Sequence, residues 1–404
     1  MTERYGVAVA TTYYHPVLGG AETAARRLVE HLVHRGHPTL VLTSRTAATD
    51  PSTESLDGAE VVRLGSPKPR RPSGKWQFAR HLCQALVTHR HRYQVVVCVD
   101  FRGIALGALA ARVVTGRPVV LQSATDGAVS GARIGAVLSR VGFPSNGMVA
   151  RAAQWPVRAL YRRGDAFGGI SRAIEADALA SGWPRERVHY MPNPVDVARF
   201  SPVDATTRAA LRASLGIPVD ACVVSFVGRL SREKGLMDLV EAWILERPAR
   251  GMLLIVGPDM PGHQWDVGQE ARDRLQAAGL SDTVRFTGGM PPTEVATYVR
   301  AADIAVHPSH FEAFGISAAE SMAAGLAVIV TDVEGHRDLA VNDETALVVP
   351  VRQPTAIADA IQRLARDHEL RGRLGRAATA HVQQFSAPVV LEAFAQMMDA
   401  VVAR

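Results

Sequence analysis

Two carboxylates stand eight residues apart in the stretch Pro308-Ser309-His310-Phe311-Glu312-Ala313-Phe314-Gly315-Ile316-Ser317-Ala318-Ala319-Glu320. Glu312 falls in a loop after an apolar β-type run, and Glu320 falls inside a helix that the spacing starts near Phe314 or Gly315. Carboxylates so separated suit hydroxyl binding at two places on one ligand better than a shared acid/base pair. Between them the helix N-terminus, at Phe314, Gly315 and Ile316, offers amides to phosphate or sugar oxygens. The surrounding residues Ile316, Ala318, Ala319, Met322, Ala323 and Ala324 are apolar. A glutamate buried among them is costly without a polar partner, and a ligand is such a partner.

A second cluster, Gly228-Arg229-Leu230-Ser231-Arg232-Glu233-Lys234-Gly235, follows the apolar run Cys222–Val227 and puts Arg229 and Lys234 in one strand-to-helix loop. Arginine clamps phosphate oxygens bidentately and lysine acts as a mobile point charge, so the pair suits a diphosphate leaving group. An exposed basic loop is the plainer alternative. Lys234 is one of only three lysines, with Lys68 and Lys75, in a chain that otherwise uses arginine, which favours a specific role. A third cluster, Gly19-Gly20, leads from the first strand into a helix, where bare backbone can approach a phosphate. It could equally be a tight turn. No G-x-G-x-x-G follows a strand and no P-loop is present, which disfavours nicotinamide or flavin chemistry and P-loop nucleotide hydrolysis.

These clusters need a scaffold, and the chain is built for an α/β one. Apolar β-type runs alternate with helical periodicity, as in β-α-β units with parallel sheets. Strands are predicted at Gly6–Ala10, Thr39–Thr43, Glu60–Leu64, Val95–Val99, Val119–Gln122 and Ala166–Ile170. Helices are predicted from about Ala21, near Trp76–His89 and near Ile104–Val114. A longer helical region, Arg133–Arg163, carries turn signals at Gly142-Phe143-Pro144 and Asn146-Gly147. The paired prolines of Met191-Pro192-Asn193-Pro194 mark an interdomain hinge. A second series of strands begins at Cys222–Val227 and continues through Met252–Val256, Val284–Thr287, Ile304–Val306, Ala327–Val330 and Ala346–Val349. The last helix, about Ala387–Ala403, is predicted to cross back to the first domain. Open sheets of this kind bind ligands at the carboxyl ends of their strands, so two of them should face a deep cleft.

At 404 residues the chain is long for one domain. Residues 1–195 hold 25 basic against 13 acidic side chains, while residues 196–404 hold 20 against 26. The N-terminal half should therefore attract anions. Lys68-Pro69-Arg70-Arg71-Pro72-Ser73-Gly74-Lys75 and Arg151, Arg158, Arg162 and Arg163, with Trp76, Phe78, Trp155 and Tyr161 nearby, suit contact with anionic lipid. A solvated arginine-rich surface is the alternative. No run approaches the length of a membrane span and no basic leader with an apolar core opens the chain, so neither export nor spanning is expected. The three cysteines, Cys83, Cys98 and Cys222, form no pair, and the fourteen histidines include no H-E-x-x-H; neither a disulfide framework nor a bound metal is predicted. Nucleic-acid binding has only the basic half in its favour.

Taken in order, Gly19-Gly20-Ala21-Glu22, Arg35-Gly36-His37, Asn193-Pro194-Val195-Asp196 with Phe200, Val227-Gly228-Arg229 with Lys234-Gly235, and the Glu312-to-Glu320 segment followed by Ala323-Ala324-Gly325 give a chain that resembles the family 4 glycosyltransferases, retaining enzymes of GT-B fold. The likeness runs nearly the full length. It implies an acceptor-binding Rossmann-like domain over residues 1–194, a nucleotide-sugar-binding domain over 195–385, and a returning helix over 386–404. It also implies that Gly20, with Gly19, approaches the donor diphosphate, that Arg229 and Lys234 bind it beside Gly228, that Glu312 holds donor-sugar hydroxyls, and that Glu320 holds the ribose.

Where many members place a sugar-contacting histidine, this chain reads Val120-Leu121-Gln122-Ser123-Ala124-Thr125-Asp126-Gly127, so Asp126 is the candidate for that contact. Asp338 replaces a usual glutamate and Thr345-Ala346 a usual Thr-Gly. The implied reaction moves a hexose-type sugar, on UDP in preference to GDP, to a hydroxyl-bearing acceptor that is anionic, lipid-linked or a natural-product scaffold. It needs no cofactor and no metal, and the setting would be cytoplasmic, with peripheral contact at the inner face of the membrane. An epimerase acting on the donor, or a non-catalytic sugar-nucleotide-binding partner, are the competing readings.

Overall fold

The computed structural model describes residues 4–17, 19–65, 73–125, 127–140, 144 and 147–404. Asp126, Lys68, Arg70, Arg71, Gly142, Phe143 and Asn146 lie outside the described residues. Contacts divide the chain into two units, one formed by Met1–Pro194 with Pro388–Arg404 and the other by Val195–Ala387.

The first unit is built on strands β1 (Val7–Thr11), β2 (Thr39–Ser44), β3 (Thr53–Leu56), β4 (Ala59–Leu64), β5 (Val95–Val99), β6 (Val119–Ser123), β7 (Ala166–Gly169) and β8 (Val188–Tyr190). Their spatial order is β3-β4-β2-β1-β5-β6-β7-β8. β1, β5 and β6 are buried along their whole length, which is why they read as near-continuous apolar runs rather than alternating ones. The order reverses between β1 and β5: the chain first builds outward through β2 and β4, then returns to the centre. The Gly19-Gly20 loop leaves β1 at that reversal.

Two strands were not anticipated. β3 is polar, Thr-Glu-Ser-Leu, and pairs antiparallel with β4 at the sheet edge. Its turn is Asp57-Gly58, both at positive φ (54° and 78°), the two-residue hairpin geometry that an Asp-Gly pair favours. β8 is a three-residue edge strand too short to carry a periodic signal. The region read as one long helical stretch is two helices, Ala132–Arg140 and Met148–Tyr161.

The second unit carries β9 (Cys222–Val227), β10 (Gly251–Val256), β11 (Val284–Gly288), β12 (Ile304–His307), β13 (Ala327–Thr331) and β14 (Leu347–Val349), ordered β11-β10-β9-β12-β13-β14 with every pairing parallel. Val224, Phe226, Leu239, Trp243, Ile255, Val306, Ile329 and Ile361 pack in its core between sheet and helices. Here the order reverses between β9 and β12, so the loops leaving those two strands lie at the switch point where open sheets accept ligands. Both clusters of the C-terminal half belong to those loops: Gly228–Lys234 follows β9, and Pro308–Gly315 follows β12.

Candidate functional site in the second unit

After β9 the chain cannot wander, because its loop is pinned on both sides. Gly228 N–H donates to the Val256 carbonyl at 2.9 Å, Leu230 N–H to Pro258 at 3.0 Å, and Arg232 N–H to Trp265 at 2.9 Å. A short 3-10 turn, Arg232–Lys234, then ends on Gly235 at φ 68°. A Cβ on Gly235 would overlap the Pro308 carbonyl, so glycine is required where the β9 and β12 loops touch. Gly228 differs: a Cβ there would meet only ordinary contacts, 3.6 Å from the Phe226 ring and 3.8 Å from Lys234 Cγ. The fold itself does not demand glycine at 228, and the bare backbone is left for something else to approach.

The β12 loop is tied to this one by His310, whose N–H donates to the Glu233 carbonyl at 2.8 Å and whose Nε2 lies 2.6 Å from Asp238 Oδ2. This docking brings Lys234 Nζ onto Glu312 Oε2 as a charge-assisted hydrogen bond, across 78 residues of sequence. Glu312 Oε1 also accepts from Ala313 N–H at 3.3 Å. Burial acts to raise the Glu312 carboxyl, yet the Lys234 charge and the Lys234 and Ala313 donors outweigh it and hold it below the ordinary glutamate range. Glu312 is thus kept as a carboxylate, an acceptor for hydroxyls.

Gly315 turns the chain from this loop into the helix Ile316–Ala323 with φ 93°. Its open face is taken by His336, whose Cδ2 would sit 2.9 Å from a Cβ at 315. His336 is buried, and its Nδ1 must donate to the Thr331 carbonyl at 3.0 Å, leaving Nε2 as a bare lone pair with no hydrogen-bond partner among the described residues. Burial lowers its pKa, so the ring is neutral. Gly335 packs on the Glu312 and Ala313 backbone, where a side chain would collide, and its N–H donates to the Glu312 carbonyl at 3.1 Å. The Gly335-His336 turn therefore supports the Glu312 loop from behind, a role with no sign in the sequence beyond the nearby Asp338.

A proton inventory fixes the other end of the helix. Ser321 Oγ donates to the Ser317 carbonyl at 2.9 Å, so its oxygen must accept from His307 Nε2–H at 3.1 Å. His307 Nδ1 is then an acceptor, and the Ser317 hydroxyl, 3.4 Å away, is its donor. Burial, with the nearby Lys234 charge adding to it, pushes the His307 pKa down to about 3.

Of the remaining candidates, Arg229 is exposed, and its guanidinium makes no ion pair among the described residues. Glu320 is half-buried on the helix. Phe314 is buried and packs edge-on against Phe385 with ring centroids 5.5 Å apart, so its ring is a packing group and only its backbone can meet a ligand. In the first unit, Gly19 caps the helix Gly20–His34 in an extended conformation and both glycines are exposed. The Glu22 carboxylate folds back against Gly19, an acidic group already seated at that helix N-terminus. Among the described residues, no group of three or more His, Cys, Asp or Glu side chains could hold a metal ion. Cys98 and Cys222 are unpaired thiols that burial pushes up to about 12 and about 11.

Comparison with known proteins places these features in context. The profile described as "Glycosyl transferases group 1" matches residues 207–381, and that of the "Glycosyl transferase 4-like domain" matches residues 19–194. The chain is 34% identical over 218 residues to the D-inositol 3-phosphate glycosyltransferase of Xylanimonas cellulosilytica, a match covering 52% of each chain. It is 35% identical over 206 residues to that of Corynebacterium glutamicum, covering 50% of this chain and 49% of the relative. The chain thus spans about half the length of the curated relatives it matches. Among solved structures, sucrose-phosphate synthase from Thermosynechococcus elongatus superposes with a TM-score of 0.80 at 25% identity, covering 99% of this chain and 100% of that one. HepE of Anabaena, solved with UDP, superposes with a TM-score of 0.77 at 20% identity over 98% of this chain and 100% of that one, a likeness of fold.

Proposed function

The chain belongs to the group 1, family 4 glycosyltransferases, with their GT-B fold, and from that premise we propose that it transfers a hexose-type sugar from a nucleoside-diphosphate sugar to a hydroxyl of an anionic acceptor, with retention at the anomeric carbon. The observation that carries the reading is the Lys234–Glu312 pair, set by two glycine-dependent loops at the switch point of the second sheet beside a helix N-terminus. Glu312, held ionised, accepts hydrogen bonds from donor-sugar hydroxyls. Arg229 clamps the diphosphate, and Lys234 follows the negative charge as it grows on the leaving group. Gly228 and the amides of Gly315 and Ile316 admit phosphate oxygens, and Glu320 takes the ribose.

In the transfer itself the bond from the anomeric carbon to the β-phosphate oxygen breaks. The acceptor oxygen bonds to the same face of that carbon, and the acceptor proton passes to a phosphate oxygen of the departing diphosphate. Enzyme groups then need only orient the reactants and stabilise the leaving charge. An anionic acceptor fits the excess of 25 basic over 13 acidic residues in positions 1–195, and two relatives are named for a phosphorylated polyol.

A thermal-shift panel of UDP-, GDP- and ADP-sugars, followed by mass spectrometry of products with phosphorylated and unphosphorylated polyols, tests this. A sugar nucleotide should stabilise the protein, and the acceptor should gain one hexosyl group only when it carries the phosphate. Isomerised donor with no acceptor-linked product would instead support the epimerase reading.

A further inference from the structure

The helix Met148–Tyr161 is amphipathic in the reverse sense. Its buried face carries Ala150 and the polar Gln154, whose side-chain oxygen accepts from Arg158 at 2.6 Å. Its outward face carries Met148, Val149 and Trp155, exposed by 87%, 49% and 64%, together with Ala152 and Pro156. At 100° per residue, Met148, Ala152, Trp155 and Pro156 fall within about one third of the helix circumference. The helix Ala132–Arg140 packs beside it and adds Val137, exposed by 61%. Scattered exposed hydrophobics need no explanation, but a contiguous set on one helix face does.

Charge says what covers it. Residues 127–163 contain six arginines, Arg133, Arg140, Arg151, Arg158, Arg162 and Arg163, and not one Asp or Glu. Arg151, Arg162 and Arg163 are exposed around the apolar face. Apolar side chains flanked by exposed arginines match acyl chains beneath anionic headgroups. Folding also narrows the aromatic set near the basic residues. Phe78 is buried, and Tyr161 packs edge-on against Phe101 at 4.7 Å between centroids, so Trp155 is the ring that faces outward from this helix.

We propose that the Met148–Trp155 face of this helix lies in the headgroup region of an anionic bilayer and holds the protein there as a peripheral membrane protein. Nothing in this depends on the donor chemistry.

Flotation of the full chain with vesicles tests it. The protein should float with phosphatidylcholine vesicles that contain phosphatidylglycerol and not with phosphatidylcholine alone, and high salt should weaken the association. Trp155 emission should shift to the blue and be quenched by brominated lipid, and Trp155→Phe should remove that quenching while still floating. Met148→Ser with Trp155→Ser, and separately Arg151→Glu with Arg163→Glu, should each weaken partitioning at least about tenfold, with melting temperature and sugar-nucleotide thermal shift unchanged. Absence of flotation with either vesicle would overturn the proposal. So would flotation that both double variants leave intact, or a dimer by light scattering that Trp155→Ser abolishes.

Discussion

Lys234 and Glu312 each offset the other's electrostatic cost, so neither can be altered alone without leaving a partly buried charge unpaired. Lys234→Ala and Glu312→Gln should each cost ~10²–10³ in turnover, the scale seen when one preorganised electrostatic contact is removed. The double variant should lose much less than the product of the two, because the pair acts as a unit; steady-state kinetics of the four proteins settles it. Wild-type turnover from Lys234→Ala would remove the lysine from the reaction. His307 makes a separate prediction about stability. Its folded pKa is about 3 against an ordinary 6.5, so between those values the unfolded chain binds a proton that the folded chain refuses. Unfolding then takes up a proton, and stability falls as pH drops through this window, by up to ~1.4 kcal/mol per pH unit. Denaturant titrations from pH 7 to 5 should show that decline, and His307→Gln should flatten it while lowering stability at pH 7.

At the scale of elements, the site depends on strand-end loops touching backbone to backbone. Gly235 and Gly262 both have positive φ, 68° and 77°, but a Cβ at 235 would strike the Pro308 carbonyl, whereas a Cβ at 262 would meet open space. Gly235→Ala should therefore destabilise by clearly more than ~1 kcal/mol, and should abolish turnover by parting the β9 and β12 loops. Gly262→Ala, bearing only the conformational strain, should keep most of both. Melting temperatures and kcat of the two variants, compared side by side, separate collision from strain. Equal losses would mean that the loop contact is unimportant. The elements also explain what was missed from sequence. β3 lacks apolar alternation because it lies at an edge with half its side chains in solvent, yet Asp57-Gly58 was a readable hairpin signal. β8 offered no such sign.

For the whole molecule, the final helix Ala387–Val402 deserves a deletion. Val390, Leu391, Phe394, Ala395, Met397, Met398 and Val401 are buried, and Pro388–Arg404 groups with the first unit. Tyr5 Oη donates to Asp399 at 2.6 Å, and Arg35 pairs with Glu392. Each large apolar side chain re-exposed costs roughly 1.5–3 kcal/mol, so a chain ending at Ser386 should lose the cooperative unfolding of the first unit, seen by calorimetry as a lost or lowered transition. Survival of both transitions would make the helix dispensable. Much of this was written in the residues. Parallel strands buried on both faces are near-continuous apolar runs, which is why β1, β5, β6 and β9 could be read directly, and residue type and spacing were enough to single out Gly228, Arg229, Lys234, Glu312 and Glu320 as candidates. Tertiary structure alone decided that Lys234 meets Glu312, that His336 backs Gly315, that Phe314 is core, and that Trp155 points outward while Phe78 does not. Those facts depend on which loops and faces are packed together across long stretches of sequence, and local periodicity has no term for contacts made only when the sheet closes its order.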